Sequence, residues 1–232
     1  MYGGNLVRLF KLTRFIIEEA AHDRAELMWV LIRLTAECVI NLQYLTEYGS
    51  PDLIDSYLFQ SLQHERELRQ LILANISSRS GTRLPIEERM LASIQRTFTN
   101  SCVEADHVPS KKIRDWGGKN FFEKTKAVHL DHAYSAIFAA PSRNVHGGWH
   151  DLLQHHLDCN KPGEFSPRLD FTKPQAQPIF ALSVLVIECL RTYIEMLAHD
   201  ELDVLRPRLI DLENRIRLVD KLHEDFLSSR AA

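Results

Sequence analysis

Residues 23–48 read DRAELMWVLIRLTAECVINLQYLTEY, and this stretch decides the fold class. Its apolar side chains recur in steps of three and four residues, at Leu27, Val30, Leu31, Leu34, Cys38, Leu42 and Leu45. Steps of this size place side chains on one stripe along an α-helix. The pattern therefore predicts a long amphipathic helix whose apolar side packs against other helices.

Further helices are predicted downstream. Gly49 ends the first helix, and Ser50 followed by Pro51 is a typical N-cap and first-turn pair for the next. Helical patterns then cover about residues 52–76, 85–106, 120–140, 149–157, 179–198 and 202–227. Pro141 is expected to end the helix before it, and Pro207 to kink the last one. No strand-like alternation or hairpin signal interrupts them. The predicted fold is therefore all-α, a single bundle of about seven to nine helices.

The chain is predicted to form one all-α domain over residues 1–232. Its longest linker candidate is the segment 160–178, which is rich in turn-forming residues: Pro162, Gly163, Pro167, Pro174 and Pro178. The helices after this segment, over residues 179–229, are too few to build a core of their own. We therefore expect them to pack on the helices that precede the linker.

The composition is that of a globular protein, with 45% hydrophobic and 25% charged residues among 232. A net charge of −3 argues against a strongly basic nucleic-acid-binding surface, although a local basic site remains compatible with it. The four cysteines form no Cys-x-x-Cys pair, which favours a reduced, cytoplasmic setting. The longest apolar run, residues 179–187, is too short to span a bilayer, so no membrane partner is predicted.

The segment 141–150, PSRNVHGGWH, concentrates groups that bind anions and move protons. Arg143 carries a permanent charge on a planar fork of donors. His146 and His150 belong to the residue type that titrates nearest neutral pH. Pro141 and the two glycines predict a junction between helices at this point. The segment is therefore the first candidate for a catalytic site.

The spacing between arginine and histidine does not identify this site by itself. With 19 arginines and 11 histidines, chance gives about three Arg–His pairs with four to six residues between them, and the sequence contains two. Arg217 and His223 lie in a continuous helical pattern, where the spacing points the side chains apart. Arg143 and His150 lie at a predicted junction, where the backbone can fold both side chains onto one ligand.

An Arg-Asn pair followed by His at a helix junction resembles the motif of HEPN domains, compact helical bundles found in many prokaryotic toxins and defence proteins. The wider pattern also resembles a bacterial family of helical proteins grouped near HEPN domains. The resembling residues are 33–37 (RLTAE), 41–45 (NLQYL), 116–118 (WGG), 134–135 (YS) and 142–147 (SRNVHG), within a match over about residues 25–160.

One departure from the HEPN pattern leaves two alternatives. His146 follows Arg143 by only three positions, which is outside the usual HEPN interval. Either His150 is the equivalent histidine, or the pair of Ser142 and His146 belongs to a relative without nuclease activity. Both histidines therefore stand beside Arg143 as candidate catalytic residues.

The resemblance implies metal-independent cleavage of RNA without a cofactor. A histidine would take the proton from a ribose 2′-hydroxyl, and an arginine would hold the phosphate. Because such sites are commonly built across a dimer, the resemblance also implies a homodimer. RNA and a protein partner or antitoxin are the further partners that it suggests.

The alternative function is a non-catalytic helical binding or scaffold module. In that case Arg143, Ser142 and the histidines would stabilise helix ends and would be buried against Glu37 or Glu188. In the catalytic case Ser142 and Asn144 would support the site. The two functions differ in whether Arg143 and a histidine face a solvent-accessible cleft.

Arg33, Glu37 and Asn41 recur in steps of four residues and so share one face of the first predicted helix. Glu37 lies beside the apolar stripe, where a carboxylate needs a partner. Arg33 is the local candidate for that partner and Arg143 the distant one. The three residues are interpreted as a polar clasp between helices that can also support the site. We therefore predict that Glu37 and the segment 142–150 meet in space.

Residues 108–126 form a basic segment with a net charge of +4 in an otherwise acidic chain. The predicted nucleic-acid contacts within it are Lys111, Lys112, Arg114 and Lys119. Trp116, Phe121 and Phe122 interleave with the charges, a pattern that suits binding of a single RNA strand. The alternative is that the rings anchor the segment in the core while the charged groups stay in water.

A metal site is not predicted, despite the eleven histidines. His129 and His132 could chelate an ion from one helix face, but no Glu-x-x-His or His-Glu-x-x-His pattern accompanies them.

Overall fold

The computed structural model describes residues 1–231, without the side chains of Ile137 and Ala231. The described residues contain nine α-helices and one small hairpin, which confirms the predicted all-α class. The helices are α1 (Tyr2–Ala21), α2 (Ala25–Tyr48), α3 (Pro51–Ser78), α4 (Pro85–Asn100), α5 (Phe121–Ala127), α6 (Ala140–Val145), α7 (Trp149–Asp151), α8 (Ala176–Leu197) and α9 (Leu205–Ala231). The hairpin strands are β1 (Leu157–Lys161) and β2 (Glu164–Pro167).

The chain divides into two compact units. One comprises residues 1–47 together with the chain from Phe122 onwards, and the other comprises residues 48–121. The boundaries therefore lie at the end of α2 and at the start of α5, whereas the sequence predicted one domain with a linker at 160–178. That segment contains the turn and the second strand of the hairpin, and it contacts α2: the Ala25 N–H donates to the Thr172 carbonyl at 3.0 Å.

Helix α2 forms the centre of the first unit, with twelve buried residues among its 24. The Cys38 thiol donates to the Asn5 carbonyl of α1 at 3.5 Å, and the Cys189 thiol of α8 donates to the Val39 carbonyl at 3.8 Å. Burial raises the pKa of Cys38, and it raises the pKa of Cys189 to about 12. Both thiols therefore stay protonated at neutral pH and act as small core residues.

The predicted apolar stripe of α2 is correct only in the second half of the helix. Cys38, Leu42 and Leu45 are buried, but Leu27 is 44% exposed and the buried positions near it are Met28 and Ile32. The helix is apolar on so many sides that the three-and-four spacing fits two neighbouring stripes. Spacing alone therefore could not say which of them is buried.

The second unit is built on α3 and α4. The Ser50 hydroxyl accepts a hydrogen bond from the Leu53 N–H at 3.2 Å, and Pro51 occupies the first turn of α3, which confirms the predicted cap. The core of the unit is one cluster of apolar side chains: Leu62, Ile72, Ile76, Ile94, Phe98 and Val108.

The prediction that Pro141 ends a helix is wrong. Residues Ser135–Ala139 form a π-helical turn, in which the Ala140 N–H donates to the Ser135 carbonyl, and α6 continues from it with buried Pro141 in its first turn. A proline is tolerated there because it directly follows the π turn, in which the hydrogen bonds of a regular α-helix are already interrupted. Pro207 lies in the first turn of α9, where an N–H would have no intrahelical partner, so the predicted kink within that helix is also wrong.

The hairpin was not predicted. Its strands pair antiparallel, with Leu157 opposite Pro167 and Lys161 opposite Glu164. Pro162 and Gly163 connect the strands, and Gly163 has a φ of 83°. That value and this residue order fit a type II turn, which requires a positive φ at its third position. The proline-glycine pair was read as a linker signal because the strands are short and polar.

Within residues 1–231, no helix combines the length and the apolar character that a membrane span needs.

Candidate functional site

The junction between α6 and α7 is a tight helix-ending turn. The Gly148 N–H donates to the Arg143 carbonyl at 3.0 Å, and the Gly147 N–H donates to the Asn144 carbonyl at 3.4 Å. Gly147 has a φ of 60°, the left-handed conformation that glycine adopts without strain. This pair of bonds is a Schellman motif, which satisfies the last carbonyls of α6. The predicted junction is therefore present, and its geometry reverses the chain between Arg143 and His150.

Arg143 and His150 line the same cavity, which has a volume of about 350 Å³. Both side chains are exposed to solvent. The remaining lining residues are Trp29, Ala140, Asn144, Gln154 and Gln175. The site thus joins a fixed cation, an imidazole and several amides in one open cleft, which can bind an anion and exchange a proton with it.

His146 does not line this cavity. It is the C-cap of α6, with an exposed side chain, and its N–H donates to the Ser142 carbonyl at 3.2 Å. Of the two candidate histidines, the geometry therefore groups His150 with Arg143 and leaves His146 on the surface of the turn.

Asn144 connects the two helices of the junction. Its Nδ2 donates to Asp151 Oδ1 at 2.8 Å, and Asp151 is a buried carboxylate. The other oxygen of Asp151 lies 3.6 Å from His156 Nε2. Asn144, which was predicted to support the site, thus lines the cavity and also holds α7, the helix that carries His150.

Arg33 links α2 to α6 through three contacts. Its Nη1 donates to Glu37 Oε2 at 2.7 Å, and its Nε donates to the Ser142 hydroxyl at 2.8 Å. Its guanidinium carbon lies 3.5 Å from the centre of the Phe138 ring. The local partner predicted for Glu37 is therefore confirmed, and Glu37 meets the segment 142–150 through one shared guanidinium. This clasp fixes the residue immediately before Arg143.

Asn41 does not join the clasp. Its Oδ1 is buried and has no hydrogen-bond partner among the described residues. No contact in this structure therefore supports the role predicted for Asn41, because the shared helix face reaches Ser142 two turns earlier, at Arg33.

A buried polar network lies next to the cavity. The Thr172 hydroxyl and N–H both donate to Glu26 Oε1, each at 3.1 Å, and His155 Nδ1 lies 2.6 Å from the same hydroxyl. Because the hydroxyl proton points to Glu26, His155 Nδ1 is the donor to Thr172. His155 Nε2 is then an acceptor, and it has no partner among the described residues. His155 is 2% exposed, and burial lowers its pKa.

We expect acid to destabilise the protein through His155. Glu26 and Asp151 favour the protonated ring, whereas burial, His156 and Arg168 oppose it, and burial prevails. The folded pKa therefore lies below the ordinary value of 6.5, so the unfolded chain binds the proton first as pH falls. Between pH 8 and pH 5, wild type should lose more thermal stability than His155→Gln. His146→Gln, at an exposed ring, is the control and should follow wild type. Equal losses in all three proteins would contradict the expectation.

In the unit of residues 48–121, the basic loop is held by side chains of α3. Gln63 donates to the carbonyls of Pro109 and Lys111 at 2.8 and 2.7 Å, and its Oε1 accepts from the Ile113 N–H at 2.7 Å. Arg66 donates to the Val108 carbonyl at 2.5 Å. The loop backbone is thus fixed at several points.

The charged side chains of this loop point to water. Lys111, Lys112 and Arg114 are exposed and line one open cavity of about 420 Å³. Trp116 is buried and packs edge-on against Tyr57, with ring centroids 5.1 Å apart, so this ring is an anchor and not a stacking surface. Lys119 lies over the Tyr48 ring at 5.4 Å.

Besides Ala140, three residues of the Arg143 cavity with polar or aromatic side chains were not predicted from the sequence: Trp29, Gln154 and Gln175. Gln154 follows His150 by four residues, and Trp29 precedes Arg33 by four. Residues four apart share a helix face, so this spacing could have found both. Gln175 comes from the segment 160–178, and no local spacing connects it to the site.

Across residues 1–231, no group of three or more His, Cys, Asp or Glu side chains is placed to hold a metal ion. His129 and His132 are exposed and line a separate cavity with Glu47 and Glu188.

The chain belongs to a family of unknown function (DUF5677), whose model matches residues 2–165. The matched range contains the Arg33 clasp and both Arg143 and His150. The comparison with curated proteins gives no match, and neither does the comparison with solved structures. An activity is therefore inferred from the geometry of the site.

Proposed function

We propose that the protein is a metal-independent endoribonuclease of HEPN-like type, acting in toxin or defence systems. One observation carries the proposal: Arg143 and His150, predicted as a catalytic pair, line a single solvent-accessible cavity. The binding or scaffold alternative expects these side chains to be buried against carboxylates such as Glu37. Both are exposed, and Arg33 holds Glu37 in their place.

The proposed reaction uses the ribose of the substrate as nucleophile. His150 takes the proton of a 2′-hydroxyl, and the 2′-oxygen attacks the adjacent phosphorus. The bond from phosphorus to the 5′-oxygen of the next nucleotide breaks, and that oxygen takes up a proton. The products are a 2′,3′-cyclic phosphate and a 5′-hydroxyl. Arg143 binds the phosphate and stabilises the negative charge that builds on its oxygens.

The basic loop of the second unit supplies a further contact to RNA in this proposal. Lys111, Lys112 and Arg114 share one open cavity, and their backbone is fixed before a ligand arrives. Such preorganisation reduces the entropy lost when an RNA backbone binds. Lys119, over the Tyr48 ring, belongs to the same proposed surface.

The proposal includes a homodimer that doubles the Arg143 and His150 pair, a cytoplasmic setting, and control by a protein partner or antitoxin. These expectations come from the HEPN-like resemblance and are tested together with the activity. Sedimentation of the purified protein gives its oligomeric state directly.

The decisive experiment incubates untagged protein with total RNA in the presence of EDTA. We expect cleavage that leaves 2′,3′-cyclic phosphate ends, and no cleavage of an oligonucleotide with 2′-deoxyribose at the cut position. Cleavage that EDTA abolishes, or that proceeds equally on DNA, would contradict the mechanism. Absence of cleavage under all conditions would favour the non-catalytic binding or scaffold module.

Gln63→Ala is expected to release the basic loop. The substitution removes three hydrogen bonds to the loop backbone from a side chain that is 3% exposed. Loss of such buried bonds costs about 2–4 kcal/mol in total. The Ile113 amide should exchange its hydrogen faster, and affinity for single-stranded RNA should fall. Gln70→Ala, at an exposed position of the same helix, is the control. Unchanged exchange at Ile113 would show that other contacts hold the loop.

A further inference from the structure

A second cavity adjoins the one that holds Arg143 and His150. Its volume is also about 350 Å³, and its lining residues are Trp29, Ile32, Ala136, Ala140, Gln177, Pro178 and Ala181. Trp29 and Ala140 line both cavities. The two cavities are therefore neighbouring compartments that share a wall formed by α2 and α6.

The two compartments differ in chemistry. The first contains the charged and amide groups around Arg143, whereas the second is apolar apart from the Trp29 indole and the Gln177 amide. Gln177 Nε2 donates to Glu224 Oε1 at 3.1 Å, which holds this amide in place. A nucleotide is divided in the same way, because a charged phosphate lies beside a flat base with apolar faces.

The Trp29 ring is placed to act as the stacking surface. It is half-buried, and within the part of the chain that the structure describes it has no hydrogen bond and no ring contact. The other two tryptophans do have ring contacts, Trp116 with Tyr57 and Trp149 with Phe165 at 5.5 Å. Trp29 is thus the tryptophan whose ring contacts a cavity and no other aromatic side chain.

The position of Trp29 is fixed by the same elements as the catalytic pair. It lies one turn before Arg33 on α2, and Arg33 binds Ser142 next to Arg143. Ala136 and Ala140, four residues apart, line the second cavity with side chains too small to fill it. The spacing between indole and guanidinium is therefore set by the Arg33 clasp and not by a mobile loop.

We propose that this second cavity binds one nucleobase flanking the phosphate held at Arg143, and that Trp29 stacks on that base. The inference rests on the proposed ribonuclease function for the identity of the ligand, since that function places a phosphate of RNA at Arg143 in the first cavity. Trp29 is then a substrate-binding residue, and we expect it to favour single-stranded RNA, because a paired base would first have to break its pairing and stacking in order to reach the indole.

The test measures binding without cleavage. The probe is the RNA dinucleotide adenylyl-adenosine with a 2′-O-methyl group on the first ribose, together with two versions that each lack one base. By calorimetry, wild type should bind one of the abasic versions more weakly. Trp29→Ala should weaken binding of the intact dinucleotide by about 5- to 150-fold, which corresponds to about 1–3 kcal/mol of stacking.

The variants form a cycle that separates stacking from misfolding. In Trp29→Ala the affinity difference between intact and abasic dinucleotide should disappear, whereas Trp29→Phe should keep part of it. Trp149→Ala, which removes an exposed ring outside both cavities, should keep the wild-type affinity. If wild type binds all dinucleotides alike, or if Trp29→Ala keeps the difference, the subsite is overturned. A change in oligomeric state without loss of base-dependent affinity would likewise assign Trp29 to an interface between copies.

The outcomes distinguish the subsite from the ribonuclease. Base-dependent binding through Trp29 without cleavage of total RNA would refute the enzyme and retain the subsite as an RNA-binding site. Cleavage of RNA with base-independent binding would retain the enzyme and refute the subsite.

Discussion

Arg143→Ala should lower kcat/KM for RNA cleavage by about 10²–10³-fold, and His150→Ala by about 10²–10⁴-fold. The two side chains line one cavity, so both losses act on the same phosphate and its 2′-hydroxyl. Arg143→Lys should fall between wild type and alanine, because lysine keeps the charge but loses the planar pair of donors. The measurement is the initial rate on a fluorescent RNA oligonucleotide.

The double variant Arg143→Ala/His150→Ala should be hardly slower than the worse single variant, since groups that act on one transition state are not additive. His146→Ala is the matched control, because the His146 side chain is exposed at the C-cap of α6 and does not line the cavity. It should retain activity within about two-fold of wild type. Full activity of His150→Ala together with an inactive His146→Ala would move the catalytic role to His146.

Leu42→Ala should lower the free energy of unfolding by about 3 kcal/mol. Leu42 lies in α2, the central helix of the first unit, and its side chain is 0% exposed. The truncation removes buried methyl groups and leaves a cavity in a helix that packs on both α1 and α8. For a protein of this size the melting temperature should fall by about 10 °C, as measured by circular dichroism.

Leu27→Ala is the matched control on the same helix, and its side chain is 44% exposed. The loss there should be below about 1 kcal/mol, because little apolar area leaves the core. Similar losses for the two substitutions would mean that α2 is not the central core helix.

The elements of this fold that could be predicted depend on contacts close in sequence. The periodicity of α2 and the pairing of Ser50 with Pro51 act within one or two turns. The helix and its neighbour's cap are present as predicted, although the apolar stripe of α2 is correct only in its second half. The predictions missed the hairpin and the continuation of the helix through Pro141, because neither is decided by local sequence patterns. A short polar strand is stabilised by its partner strand. Whether a helix ends at a proline depends on whether the backbone at that position needs the hydrogen bond that proline cannot donate.

The site shows the same division. The Arg33–Glu37 pair follows from a spacing of four residues on a helix. Glu37 was predicted to meet the segment 142–150, with Arg143 as its distant candidate partner, but the contact to that segment is made by Arg33 with Ser142. The network of Glu26, His155 and Thr172 was not foreseen, because 146 residues separate Glu26 from Thr172. No local pattern relates positions so far apart, and only the folded chain places them together.

The π-helical turn at Ser135–Ala139 makes the number of residues before Arg143 a determinant of the site. A π turn holds one residue more than an α turn, so removing one residue there would shift the register of α6 relative to the chain before it. Every side chain of α6 would then rotate by about 100° about the helix axis. Arg143 would leave the cavity and Ser142 would leave Arg33. Chain length in this turn, rather than residue identity, is thus a separate means by which the site can be lost or regained.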